Sequence, residues 1–222
     1  MPAWPIALAC WVLPTLVVFT CYGISISLDQ VPRCVPFFEG CTSISAASRQ
    51  LPSLHLFRAV MLPTTALLLA YWLIARTWLG LLGARGPARA WMTLLGIIGA
   101  VFLVLYAVFL GTDGPAYELM RRYGVIVYFA FTALAQILLS AQLQRLPGHL
   151  PDVGRRLPAI KVGFGAAMLV IGLINIPAAN FFDADPVENV VEWNFALLMQ
   201  GYFGLTALAW YRGGLTIALR RG

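Results

Sequence analysis

The chain has 222 residues, 60% of them hydrophobic and 11% charged, with a net charge of +6. Six apolar runs of about 20 residues, the length that crosses a ~30 Å hydrocarbon core as a helix, fill most of it. This excludes a soluble enzyme, leaves no room for a separate soluble domain, and makes the basic balance a matter of topology instead of nucleic-acid binding. The expected fold is all-α: residues 1–222 form one polytopic domain of six transmembrane helices in a single bundle. Spans of this length must satisfy their own backbone polar groups in lipid, which helices do. The ten-residue alternation of a barrel strand is absent.

The first span, Trp4–Ser27, holds Cys10, Pro14 and Cys21. No Lys or Arg precedes it and it outruns a signal-peptide core, so an uncleaved helix is expected. The longest connection, Leu28–Leu56, follows, with Pro32, Pro36, Gly40, Pro52 and a run of small and hydroxyl residues from Thr42 to Ser48. It is expected to fold over the outer mouth of the bundle. Cys34 and Cys41 lie in it with six residues between them. Two cysteines sharing one external loop are expected to form a disulfide. The alternatives are free thiols or half a metal site, and no CxxC or His-rich partner supports the metal. The second span, Phe57–Gly80, contains Pro63; the others are Trp91–Gly111, Tyr123–Leu143, Pro158–Asn180 and Val190–Tyr211. Each internal proline removes a helical hydrogen bond, which neighbouring helices can compensate in a membrane. Trp4, Trp78, Trp91 and Trp210 near the inner ends of spans, and Trp193 at the outer end of the last, read as an interfacial belt.

Charge is sorted by sign. Asp29, Glu39, Asp113, Glu118, Asp183, Asp185, Glu188 and Glu192 fall in or beside the first, third and fifth connections. Arg76, Arg85, Arg89, Arg145, Arg155, Arg156, Lys161, Arg212, Arg220 and Arg221 fall on the other side, with Asp152 the one acid there. The positive-inside rule then places both termini in the cytoplasm and Leu28–Leu56 outside. The deep span interiors read as free of charge, with Arg58, Arg76, Glu192 and Arg212 snorkelling at the interfaces. That disfavours an ion pump or a transporter of charged substrates. Gln136, Gln142, Asn175, Asn194 and Gln200 read as interhelical hydrogen-bonding amides.

Walker, GxSxG, HExxH and dinucleotide-binding signatures are all missing. With only His55 and His149, no multi-histidine metal centre can be assembled, so no metal, cofactor or catalytic residue is assigned. What stands out is a crowding of polar groups at the outer helix ends: His55 and Arg58, Arg121 and Arg122, Asn175 and Asn180, Glu192 and Asn194. Arginine's planar fork suits phosphate, and a lipid headgroup or lipid-linked glycan would fit such a mouth.

Thr42-Ser43-Ile44-Ser45-Ala46-Ala47, then Pro52, Leu56-Phe57-Arg58 and Ala70-Tyr71-Trp72, resembles the motif that follows the first helix in the Frag/DRAM/Sfk family. That family includes the post-GPI-attachment-to-proteins factor two. Glu192-Trp193 resembles the family's acidic–aromatic opening of the last helix. The resemblance implies six helices with cytoplasmic termini and a role in membrane-lipid handling, carried by Ser43, Ser45, Pro52, Arg58 and Glu192. The histidine of the last helix in GPI-remodelling members has no counterpart beyond His149.

The expected function is therefore binding or organising membrane lipid headgroups at the external face, with membrane lipids as partners. Arg58 would contact phosphate; Glu192 would pair with Arg58 or orient a hydroxyl; Ser43, Ser45, His55 and Asn194 would complete the site. The alternatives are a lipid-remodelling membrane enzyme with Glu192 or His55 as base, and a small transporter. The location is a cytoplasmic membrane in a bacterium, or a Golgi, ER or plasma membrane in a eukaryote.

Overall fold

The computed structural model describes residues 1–146, 156–181 and 184–218, with 174–181 and 184 described by backbone alone. Eight helices occur among the described residues: α1 (Trp4–Ser27), α2 (Pro36–Glu39), α3 (Ile44–Ser48), α4 (Ser53–Leu81), α5 (Ala88–Phe109), α6 (Pro115–Gln144), α7 (Arg156–Phe181) and α8 (Ala184–Arg212). Five of the six long ones, with the Arg156–Leu173 part standing for α7, are long and apolar enough to cross a membrane. Helix α8 matches them in length, but Asp185, Glu188, Glu192, Asn194 and Gln200 make it less apolar. Asp152, Arg155, His149, Asp183, Arg220 and Arg221 lie outside the described residues, as do the side chains of Asn175 and Asn180.

The long helices close a ring in which α1 packs on α4, α4 on α5, α5 on α6, α6 on α7, α7 on α8, and α8 back on α1. In lipid, apolarity alone does not decide which helix faces meet, and close approach through small residues does. The α5–α6 seam follows this rule: a Cβ on Gly124 would lie 2.7 Å from the Tyr106 backbone nitrogen. Gly96 likewise makes room for the Trp72 indole from α4. Helices α1 and α4 run through Pro14 and Pro63 unbroken. Hydroxyls return to the carbonyls beside each proline, Thr15 to Trp11 (2.7 Å) and Thr64 to Val60 (2.8 Å).

The two ends of the chain meet at one end of the bundle. Met1 donates its amino group to the Ile217 carbonyl, and Ala3 N–H donates to Leu215. Residues 28–52, with α2 and α3, make a roof over the opposite end. Several helices outrun their predicted spans at the roof end: α4 begins at Ser53, α6 at Pro115 and α8 at Ala184. Pro115 suits a first helical turn, and Glu118 and Arg121 then ride above the apolar part of α6, 3.8 Å apart.

One expectation is corrected. The tryptophans are not all interfacial. Trp91 is exposed, but Trp78, Trp193 and Trp210 are buried, Trp78 and Trp210 edge to face at 6.1 Å. Side-chain size and the ring geometry draw them inward, where their large rings fill space between helices. Lys161 of α7, five residues from the start of that helix and counted among the inner-side basic residues, is 0% exposed. It falls on the side of α7 facing α8, donates to Thr206 Oγ1 and lies 3.8 Å from the centroid of the Tyr202 ring. Thr206 meets Tyr71 Oη at 3.0 Å, and Tyr202 Oη donates to the Gln136 carbonyl at 2.7 Å. The termini half of the bundle is thus filled by a polar core joining α4, α6, α7 and α8.

Candidate functional site

The roof is built locally and then tied to the bundle. The Cys34–Cys41 disulfide closes a loop around α2, with its Cα atoms 6.5 Å apart. Gly40 ends α2 at φ 61°, and the Pro186 carbonyl lies where a Cβ would stand, so this position admits only glycine. Ser43 is the N-cap of α3, its Oγ accepting the Ala46 N–H at 2.9 Å. Ser25 Oγ of α1 donates to the Ala47 carbonyl at 2.7 Å. From α8, Trp193 Nε1 donates to Thr42, Asn194 Nδ2 to Phe37 and Asn189 Nδ2 to Gly40, at 2.8–2.9 Å. Ser45 Oγ meets Tyr106 Oη of α5 at 2.8 Å.

The residues that match the family-like motif therefore converge on this construction. Ser43 starts α3, Ser45 joins it to α5, and Trp193 hangs the roof from α8. Glu192, part-buried, directs its carboxylate toward the backbone N–H groups of Ile44 and Ser45, with Arg49 the cation facing it. A carboxylate is well placed at that end of α3, where the first N–H groups have no helical acceptor.

The expected Arg58–Glu192 pair is absent. Arg58 turns to the end of α5, where Nε donates to Ala107 (3.1 Å) and Nη2 to Val108 (2.8 Å) and Leu110 (2.7 Å). The last carbonyls of a helix lack internal donors and carry its negative dipole end, so a guanidinium within reach of them is drawn there instead. Arg121–Glu118 is the one ion pair among the described residues. His55 is exposed on the first turn of α4. Thus the structure brings Ser43, Ser45 and Glu192 together around α3, ties Asn194 to α2, and sets Arg58 and His55 apart.

Two spaces flank α3. On its outer side is a polar groove of ≈ 550 Å³ between the roof and the first turns of α8, lined among others by Gln30, Ser43, Arg49, Asp185, Glu188 and Asn189. On its inner side is an apolar cavity of ≈ 60 Å³ in the roof half of the bundle, lined by residues of α1, α2, α3, α4, α5, α6 and α8. Sequence reasoning missed Arg49, Asn189, Tyr106 and Gln200 as site residues. Arg49 had a signal, four residues after Ser45 and just past the end of the same short helix; Tyr106, inside an apolar run, had none.

No curated protein and no solved structure matches the chain. A family model described as the Frag1/DRAM/Sfk1/Cwh43P N-terminal domain matches residues 2–212. With its apolar helices and that near-complete match, the chain belongs to this family of integral, multi-pass membrane proteins.

Proposed function

We propose that this protein binds a membrane lipid by its headgroup at the external face, in the groove between the roof and α8. The observation that supports it is charge of both signs on the two walls of one polar groove: Arg49 from the roof, Asp185 and Glu188 from α8. A phosphate would take the Arg49 fork, while an ammonium or hydroxyl would face the acids, which suits a zwitterionic phospholipid. Ser43 adds a hydroxyl to the groove wall, and Glu192 holds α3, and with it Arg49, in position. Arg58 serves the frame and does not contact the headgroup.

Purified protein equilibrated with nanodiscs of matched acyl chains, differing only in phosphatidylethanolamine, phosphatidylcholine or phosphatidylglycerol headgroup, tests this by native mass spectrometry. Phosphatidylethanolamine should be retained best. Arg49→Ala should weaken retention about fivefold, the value of one partly screened charge contact of roughly 1 kcal/mol. Equal retention of all three lipids, or an Arg49→Ala protein indistinguishable from wild type, would overturn the reading. The lipid-remodelling alternative has one observation in its favour, a carboxylate beside the Ser45–Tyr106 pair. Release of an acyl chain in the same nanodiscs, abolished in Glu192→Gln, would favour it.

A further inference from the structure

Within the roof, α2 lies against the side of the bundle. Asn194, which donates to the Phe37 carbonyl at 2.9 Å, is one turn above the exposed Leu197 and on the same face of α8. Phe37 rests on the exposed Phe19 of α1, with ring centroids 6.1 Å apart. Phe19 and Leu197 are the positions that meet lipid in a multi-pass bundle, so α2 covers the upper part of the lipid-facing seam between α1 and α8. Its depth follows from the opposite end. Trp4 and Tyr211 meet edge to face at 5.7 Å and mark one level near the inner surface, where such aromatics favour the headgroup layer. Phe19 is fifteen residues above Trp4, ~22 Å of helix, and Asn194 seventeen above Tyr211, ~26 Å. Helix tilt only shortens these distances, and the hydrocarbon core is ~30 Å thick. Helix α2 therefore sits at the outer boundary of the hydrocarbon, not above it.

The outward side of this turn is apolar. Phe38 is 84% exposed and Val35 50%. Glu39 folds back to accept the Val35 N–H at 2.7 Å, and Arg33 stands exposed beside them. The Cys34–Cys41 disulfide and Tyr22 Oη, which donates to the Cys34 carbonyl at 2.7 Å, hold the backbone in place. We infer that residues 33–39 are an interfacial anchor: Phe38 and Val35 enter the outer leaflet of the surrounding bilayer, and Arg33 meets its phosphates. Removing an exposed phenyl ring from water is favourable, and an arginine reaches the headgroups while its stem stays in apolar surroundings. The other side of the same loop, Pro32, Gly40 and Cys41, lines the polar groove, so the anchor sets the mouth of that groove at headgroup level. The inference stands on depth and exposure and does not rest on what the groove binds.

Phe38 is replaced by p-benzoylphenylalanine, the protein is reconstituted in phosphatidylcholine vesicles and irradiated, and adducts are located by mass spectrometry. A phosphatidylcholine adduct is expected at position 38, at least tenfold above that from the same probe at Gln50, exposed on the roof before the start of α4. In the same vesicles Phe38→Asp should speed hydrogen exchange of residues 33–42 about threefold or more, whereas Phe38→Trp should leave it unchanged. A phenyl ring standing in water would make the aspartate neutral. A lipid adduct no stronger than at Gln50, or equal exchange in Phe38→Asp and wild type, overturns the inference. So does a crosslink to a second copy of the chain in place of lipid, which would assign the patch to an interface between copies. Loss of headgroup discrimination in nanodiscs with the adduct at position 38 intact overturns only the headgroup reading, and the converse result only this one.

Discussion

Arg58→Ala tests the frame on which the site depends. The change removes three hydrogen bonds from a guanidinium to the Ala107, Val108 and Leu110 carbonyls at the end of α5, and a longer one to Thr112 Oγ1. Hydrogen bonds to a charged group are each worth about 1.5–3 kcal/mol, but three on one fork do not add, and the half-exposed Val108 region can recruit headgroup water. A loss of about 2–4 kcal/mol is expected, near the upper end for a single substitution. Arg58→Lys should recover at most half, because an ammonium is a point charge without the planar fork. Reversible unfolding in mixed micelles titrated with SDS reads both values. Because Arg58 and Glu192 share no partner, Arg58→Ala combined with Glu192→Gln should be additive within ~0.5 kcal/mol. An Arg58→Ala protein within ~0.5 kcal/mol of wild type, or a coupling above about 1 kcal/mol, would refute this assignment and restore the ion pair expected from the sequence.

Gly124→Ala should cost about 1–3 kcal/mol in the same assay, since its Cβ would meet the Tyr106 backbone and α5 and α6 must part; a neutral result would mean the seam is looser than described. Trp193→Phe keeps the ring stack but removes the 2.9 Å bond to Thr42, and should cost about 1 kcal/mol and speed hydrogen exchange in residues 36–48; unchanged exchange there would contradict the hanging of the roof from α8. Topology is read by maleimide labelling after replacing the buried free cysteines Cys10 and Cys21: Gln50→Cys should react from outside and Arg85→Cys only from inside, and the reverse would invert the orientation. Lys161→Met should be neutral or stabilising, because a buried ammonium is replaced by a side chain of similar length, whereas Thr206→Val strands the Nζ and should cost about 1–3 kcal/mol; equal losses from both would argue against a buried, hydrogen-bonded Lys161.

Span length and hydropathy made the long helices legible, because in lipid the backbone has no other way to satisfy itself. The disulfide was legible because Cys34 and Cys41 sit so near in one loop that little else was open to them, and it closes in the structure. What could not be read was which side of each helix faces inward. A helix that is apolar all round gives no periodic signal of its buried face, so Trp78 and Trp210 looked interfacial and Lys161 counted only as one of the inner-side basic residues. The motif was visible, but its residues were read as ligand contacts when four of them build or hold the frame. Arg58 misled most. A charge at the outer turn of a span suggests a counter-charge, and a sequence does not show that the end of another helix lies close enough to supply carbonyls instead.

The unequal halves of the bundle explain why α8 is the least apolar long helix. In the termini half its Tyr202 and Thr206 meet Lys161, Tyr71 and Ser140. In the roof half the same helix turns Trp193, Ala196, Leu197 and Gln200 toward a cavity, and Gln200 finds only one partner. Gln136 on the facing helix likewise uses only its Nε2, on the Met199 carbonyl at 3.0 Å. Gln136 and Gln200 thus each hold two helices together through a single amide bond, to the Met199 carbonyl and to the Tyr128 hydroxyl. Ile44 of α3 and Trp193 of α8 both line that cavity, so residues that hold α3 in place also fix its shape.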